Sequence, residues 1–349
     1  MDTRVGRALS LQSIRFLENF FRARILGRQN LLPQICLVYL TYLCNAHCGF
    51  CSRTKEVNGH CQGACELARF RQILEKIAEV TTCLYLTGGE GTILRDLVER
   101  LDIARELRFW PIIFNTNAIW LDRHWTALSR LDKLVVSLHS TDPLELARIY
   151  RVKPEWGQRA LNNIEEAARG SKIPGNCQVM ANLVLTPDNI AGANRVLDFC
   201  LARGIELTVV PAICGQRPLI ESGGAEAMRA YTRFLDRVIA QKKDDPWSIQ
   251  GSLGYLQQIR QLKPVDCRPS AILSISPAGQ ILDACDRFYG TVLGNIDETT
   301  STSALSNRFD RHARFRSCPH RCLKVCYTQT ALLYAQPWQT AMDYITTWL

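Results

Sequence analysis

Residues 35–51 read Ile35-Cys36-Leu37-Val38-Tyr39-Leu40-Thr41-Tyr42-Leu43-Cys44-Asn45-Ala46-His47-Cys48-Gly49-Phe50-Cys51. Ile35–Thr41 is apolar and uncharged, the composition of a strand buried on both faces of a parallel sheet. Directly after it come three cysteines, separated by three residues and then by two. A loop this short can turn three sulfurs towards one centre, and thiolates suit soft metals, either zinc or iron–sulfur. A structural zinc site usually takes a closed set of four ligands. A cubane held by three cysteines instead leaves one iron free to bind a small molecule. His47 is the one neighbour able to complete a zinc set, but beside Cys48 it is expected to point away.

Working outward, the same strand-then-helix alternation recurs. Strands are expected at Ile35–Thr41, Cys83–Thr87, Ile112–Asn115, Leu134–Leu138, Val179–Leu185 and Glu206–Val210. Helical patterns lie between them, among them Glu66–Val80, Leu94–Leu107, Gly157–Ala168 and Ala191–Arg203. Such a series implies an α/β fold with a parallel sheet and helices outside, here a partial, TIM-like (β/α)6 barrel. Chemistry in parallel barrels sits in the loops after the strands, which is where the cysteines fall. After Pro211 the rhythm changes. Residues 225–242 read as a charged amphipathic helix, 241–247 as a linker, and Ile272–Ser276 with Gln280–Leu282 as a hairpin around Gly279. The expected organisation is an amphipathic segment at 1–33, a core at 34–215 and a helical linker region at 216–265. A small cysteine-rich α+β unit at 266–330 and a terminal helix at 331–349 complete it.

The run Cys44-x3-Cys48-x-Phe50-Cys51 after a first strand resembles the signature of the radical S-adenosylmethionine (radical SAM) superfamily. The resemblance covers about residues 34–215. It implies that Cys44, Cys48 and Cys51 hold a 4Fe-4S cluster whose free iron chelates S-adenosylmethionine, with Phe50 near the adenine. Leu86-Thr87-Gly88-Gly89-Glu90-Gly91 looks like the family's Gly-Gly-Glu-Pro motif, which meets the ligand's ammonium group; Gly91 departs from the usual Pro. Asn115-Thr116-Asn117 is similar to a Thr-Asn-Gly segment, except that Ala118 stands where glycine is usual. Ser137 resembles the polar residue that meets ribose or carboxylate, and the fifth strand offers Asn182. His139 is the one candidate for a catalytic side chain. The resemblance implies reductive cleavage of S-adenosylmethionine to a 5′-deoxyadenosyl radical, hydrogen abstraction from an organic substrate, and an electron donor of the flavodoxin or ferredoxin kind.

A second cysteine group follows. Cys267 and Cys285 bracket the hairpin, and Cys318, Cys322 and Cys326 crowd into nine residues. Five candidates for four ligands resemble the SPASM/twitch extension of some radical SAM proteins, which implies an auxiliary 4Fe-4S cluster. A zinc ribbon is the competing reading. Cys61 and Cys65 read as incidental thiols, and Cys36, Cys83, Cys177, Cys200 and Cys214 as core residues.

Fifteen cysteines in 349 residues, with no export signal at MDTRVGRALS, point to a reducing cytoplasm and metal binding more than to disulfide staples. No segment has the ~18–20 uninterrupted apolar residues of a membrane span. The net charge of +9 is spread along the chain without a Lys/Arg run, so nucleic acid is not the expected partner. Residues 9–28 place Leu11, Ile14, Leu17, Phe20, Phe21 and Ile25 near one helical face, suited either to peripheral membrane contact or to packing on its own domain. The alternative to the enzyme is a zinc-stabilised nucleic-acid-binding module without catalysis.

Overall fold

A computed structural model describes residues 3–27, 30–51, 63–170, 177–214, 217–263, 270–282, 291–298, 323 and 325–335. The elements run α1 (Thr3–Arg24), β1 (Asn30–Tyr39), α2 (Leu67–Ala78), β2 (Cys83–Thr87), α3 (Leu97–Glu106), β3 (Ile112–Thr116) and β4 (Lys133–Ser137). Then come α4 (Pro143–Tyr150), α5 (Pro154–Arg169), β5 (Gln178–Leu185), α6 (Ala193–Leu201) and β6 (Glu206–Pro211). A short ribbon, β7 (Ile213–Cys214) and β8 (Arg217–Pro218), leads to α7 (Gly224–Asp244) and α8 (Leu253–Arg260). The described chain ends with β9 (Ser270–Ile275), β10 (Gln280–Leu282), β11 (Val292–Asn295) and α9 (Val325–Ala335).

Among the described residues the main sheet has the order β11-β10-β9-β1-β2-β3-β4-β5-β6. β9 and β1 to β6 are joined by parallel pairing, while β10 and β11 run antiparallel. This is the expected α/β architecture, with each strand that the sequence marks in place. The hairpin around Gly279 forms as read, yet it does not stand apart: β9 pairs in register with β1, Ile35 opposite Ile272 and Val38 opposite Ile275. Open edges of a sheet are templates for pairing, and here the hairpin supplies the missing neighbour of the first strand.

Alternation along the strands sets two faces. Cys36, Val38, Leu84, Leu86, Phe114, Leu134, Val136, Ala181 and Leu183 join the large core beneath the helices. The opposite face carries a smaller cluster of Cys83, Ile113, Val135 and Met180, with Ile35 and Tyr85 against it. Lys133 and Glu206 form a largely buried ion pair at 2.9 Å near the amino ends of β4 and β6. This set floors the concave side and leaves the carboxyl ends of the strands for polar groups.

Two expectations are corrected. Residues 241–247 are no free linker: Gln241–Asp244 complete α7, and the buried Lys242 ammonium donates to the carbonyls of Pro246 (2.6 Å) and Ile249 (2.8 Å). A lysine buried in this way closes the turn instead of loosening it. The apolar face assigned to residues 9–28 also divides. Phe16, Phe20 and Ala23 pack inward on Leu31, Ala271, Leu333 and Tyr334, whereas Ile14, Leu17, Phe21 and Ile25 are exposed.

Candidate iron–sulfur and cofactor site

The loop after β1 is held by backbone bonds to its neighbour. Leu40 N donates to Thr87 O (2.8 Å), Gly89 N to Thr41 O (2.7 Å) and Glu90 N to Leu43 O (2.8 Å). This contact leaves no room for side chains on the glycines. A Cβ on Gly88 would lie 2.4 Å from Thr41 O, and one on Gly89 2.0 Å from Leu43 O. Gly88 also has φ +141°, a conformation open mainly to glycine. The two glycines therefore clamp the cysteine loop against the end of β2.

Within the loop, Cys51 N donates to Cys48 O (3.0 Å), Ala46 N to Cys44 Sγ (3.3 Å) and His47 N to Tyr150 O (2.8 Å). His47 is exposed while Cys44, Cys48 and Cys51 are half-buried. Burial pushes the Cys44 thiol up to about 12, with Glu90 and Cys51 adding to the rise, and pushes the Cys48 thiol higher, with Cys51 and Cys44 adding to it. The three sulfurs thus share one electrostatic environment. Among the described residues, however, no three His, Cys, Asp or Glu gather closely enough to hold a single metal ion. Three thiols on one loop match the donor set of a four-iron cluster, whose cysteines each bind a different iron. Arg151 packs its guanidinium on Gly49 and partly offsets the rise at Cys48.

Glu90 is buried, and burial raises its pKa. Its carboxylate accepts from Thr92 N (3.0 Å), Thr92 Oγ1 (2.7 Å), Thr116 Oγ1 (2.7 Å) and Asn117 N (2.7 Å). It thereby ties the loop after β2 to the loop after β3. Gly91, where proline was expected by resemblance, is explained by its neighbour: a Cβ there would lie 2.5 Å from the Phe114 ring. Ala118 keeps a left-handed φ of +64° although it carries a Cβ. That conformation costs roughly 1 kcal/mol for a non-glycine residue.

Asn115, Ser137, Asn182 and Thr208 lie on the concave face above the apolar floor, with Ser137, Asn182 and Thr208 side by side in register. Asn117 Nδ2 donates to Asn45 Oδ1 at 2.6 Å. Several buried polar atoms here have no protein partner: Asn45 Nδ2, Asn115 Oδ1, Thr208 Oγ1 and, on β9, Ser274 Oγ. Buried polar atoms without partners are costly, so their grouping above the floor and beside the cysteine loop fits a polar ligand. His139 is buried with its pKa lowered by burial to about 3, so its ring is neutral. Its Nδ1 accepts from Val184 N (3.3 Å), and its ring meets Phe50 edge-on at 5.0 Å.

Tyr150 is the residue that sequence reading passed over. Its hydroxyl donates to the Ser137 carbonyl, its ring packs on His139, and its own carbonyl receives His47 N. Asp142 capping Glu145 N, with Pro143 at the first helical position, is the signal that could have revealed α4 and hence Tyr150.

The second cysteine group falls largely outside the described residues. Cys267, Cys285, Cys318 and Cys322 lie beyond them, as does Cys61, and of Cys326 only the backbone, in α9, is described. Of the cysteines read as core, Cys36, Cys83 and Cys200 are buried; Cys177 is half-buried.

A partial parallel barrel with three thiols at the end of its first strand and a glycine clamp at its second defines a class of cofactor-dependent enzyme. Residues 38–200 match the profile of the Radical SAM superfamily, and this segment of the chain is a radical SAM domain. Over 183 residues the chain is 32% identical to the GTP 3′,8-cyclase of Mycobacterium marinum (strain ATCC BAA-535 / M), covering 50% of this chain and 48% of the relative. A probable GTP 3′,8-cyclase of Methanopyrus kandleri is 24% identical over 236 residues, covering 66% of this chain and 73% of the relative. The chain spans about half the length of the first of these relatives. In fold it is similar to Streptococcus suis SuiB bound to S-adenosylmethionine, with a TM-score of 0.64 at 19% identity over 88% of this chain and 74% of that one. It is also similar to anSMEcpe with bound AdoMet, with a TM-score of 0.56 at 15% identity over 90% and 100% of the two chains. None of these supports the zinc-module alternative.

Proposed function

We propose that the protein reductively cleaves S-adenosylmethionine and uses the resulting radical to abstract hydrogen from an organic substrate, with a second cluster bound by its C-terminal cysteines. The observation that carries the reading is the three-thiol loop clamped by Gly88 and Gly89 beside a set of unpartnered buried polar atoms. Cys44, Cys48 and Cys51 would hold the first cluster, and four of Cys267, Cys285, Cys318, Cys322 and Cys326 the second. When bound, the first cluster with S-adenosylmethionine supplies a 5′-deoxyadenosyl radical, chemistry that belongs to the cofactor.

The chain's own part is to position and to shield. Gly88 and Gly89 let the backbone of the second loop approach the first. Glu90 locks the loops after β2 and β3 together, so Asn115 and Asn117 face the cofactor from a fixed frame. Phe50, held by the neutral His139 ring, gives an apolar wall for adenine. Ser137 and Asn182 offer a polar row for ribose or carboxylate. The floor of Cys83, Ile113, Val135 and Met180 keeps water from entering from below. An electron donor of the flavodoxin or ferredoxin kind completes the partners.

Relatives named GTP 3′,8-cyclase favour a nucleotide as the first substrate to try. Anaerobically reconstituted protein should carry about eight irons if two four-iron clusters are bound. It should release 5′-deoxyadenosine when reduced with S-adenosylmethionine. Cys48→Ala should abolish that release, and Cys285→Ala should lower iron by about one four-iron cluster while leaving the first cluster's spectrum in place. Retained cleavage in Cys48→Ala would reject the first site; unchanged iron in Cys285→Ala would reject the second. GTP consumed only when S-adenosylmethionine is present would support the nucleotide reading; its survival would turn the search to peptides and other small molecules.

A further inference from the structure

We propose that α1 docks the protein on an anionic lipid surface through a stripe of exposed apolar side chains. Ile14 (62% exposed), Leu17 (64%), Phe21 (51%) and Ile25 (65%) recur at three- and four-residue steps, and Leu26 (48%) follows them. That spacing sets Ile14, Leu17, Phe21 and Ile25 along one side of the helix. Among the described residues the other large exposed apolar side chains, Leu43, Leu144, Trp247 and Val292, are scattered singly. Scattered residues need no account, whereas a contiguous apolar patch marks an interaction site.

The stripe is not a helix face waiting to fold inward, because the other side of α1 is already anchored. Phe16, Phe20 and Ala23 pack on Leu31, Ala271, Leu333 and Tyr334. Buried Asn19 exchanges two bonds with Leu32, donating to its carbonyl (2.9 Å) and accepting from its N–H (2.7 Å). Arg15 donates to Val80 O (3.2 Å) and Gln12 to Gln34 O (3.1 Å). These contacts fix the rotation of the helix and hold the stripe outward.

Charge selects the occupant. α1 carries Arg4, Arg7, Arg15, Arg22 and Arg24 against a single acid, Glu18, which is itself paired with Arg15 and Arg22. An apolar stripe on a helix with a surplus of arginines matches an anionic bilayer, with the apolar side chains entering the acyl boundary and the half-buried Arg22 and exposed Arg24 beside them at the headgroups, while Arg15 stays bound to Val80. Two copies meeting through this face would bring like charges together.

The contact lies far from the cofactor loops. α1 touches Gln34, Thr81 and Thr82 at the amino ends of β1 and β2, while Cys44 and Gly88 follow their carboxyl ends. Gln34 lies five residues before the end of β1, so about 17 Å of strand separates this contact from the start of the cysteine loop. Docking therefore holds the protein at the membrane with its cofactor loops turned away, and it does not deliver a lipid into the site.

The test is co-sedimentation of the full chain with vesicles of phosphatidylglycerol and phosphatidylcholine, with pure phosphatidylcholine vesicles as the control. The expected result is binding to the anionic vesicles that weakens with salt and falls at least tenfold in Leu17→Glu/Phe21→Glu. Circular dichroism and S-adenosylmethionine cleavage should be unchanged in the variant. Failure to bind anionic vesicles, or equal binding by wild type and variant, overturns the proposal. So does a dimer by light scattering that the double substitution dissociates, since that assigns the stripe to a second copy.

Discussion

At the scale of single residues, space decides more than charge. Gly89 and Gly170 are both glycines in turns, but only Gly89 faces backbone: a Cβ would sit 2.0 Å from Leu43 O and 2.5 Å from Leu43 C, and neither can move without shifting the cysteine loop. Gly170 has φ +68° with nothing within 4 Å of a Cβ. Gly89→Ala should therefore cost about 1–3 kcal/mol and prevent the first cluster from assembling, as read by iron content and visible absorbance. Gly170→Ala should cost about 1 kcal/mol of left-handed strain and leave iron content unchanged. Equal iron in the two variants would show that the clamp does not control the loop. The three cysteines, Gly88 and Gly89 were legible in the sequence because their spacing is local. The role of Glu90 was legible only in part. Its place at the strand end could be read, but its bonds to Thr116 and Asn117 join two loops and depend on β2 lying near β3. The fit of Gly91 to Phe114 is hidden for the same reason: two residues of different strands exchange volume, and no local pattern records it.

At the scale of elements, the strands were easy to find and their partners were not. Six buried parallel strands show as apolar runs with few charges, and each falls within a few residues of its place. The hairpin at Gly279 was also readable from its turn, yet nothing local says that β9 lies beside β1, where Ile35 pairs with Ile272. Helix α4 was missed despite its cap, because eight residues make only about two turns. With it went Tyr150, which braces His139 and the cysteine loop. The ion pair of Lys133 and Glu206 is a further long-range product, joining β4 to β6 across β5 at the barrel floor. Its energetics can be tested by unequal truncation. Lys133→Met should destabilise by about 3–5 kcal/mol, because it leaves a buried carboxylate without a partner. Lys133→Met/Glu206→Leu should recover most of that loss, because the adjoining floor is already apolar and two apolar side chains carry no unpaired charge. Urea midpoints of the two variants measure the difference; a double variant as unstable as the single one would show that the pair acts through packing.

At the scale of the whole molecule, the concave face buries ionisable groups whose protonation is coupled to folding. Burial holds His139 neutral, lowering its pKa from 6.5 to about 3. The unfolded chain then takes up a proton below about pH 6.5 that the folded chain refuses until about pH 3. Folded stability contributed by the neutral ring is present above 6.5 and drains away as pH falls through this window, by up to about 1.4 kcal/mol per pH unit. Glu90 works in the opposite sense. Burial raises its pKa above 4.5, so the folded chain holds a proton there more tightly, and acidification towards 4.5 stabilises. The two groups share one site, so the raw pH profile of unfolding blends them, and a difference between variants is needed to separate them. His139→Asn keeps an acceptor for Val184 N but cannot titrate. Measured by urea unfolding of cluster-free protein, wild type should lose more stability than His139→Asn between pH 6.5 and 4, with the gap opening steadily as pH falls. Parallel profiles would mean that the imidazole is protonated in the folded state. The wall of Phe50 and His139 beside the cysteine loop would then carry a cation, which would count against the apolar adenine wall proposed for it.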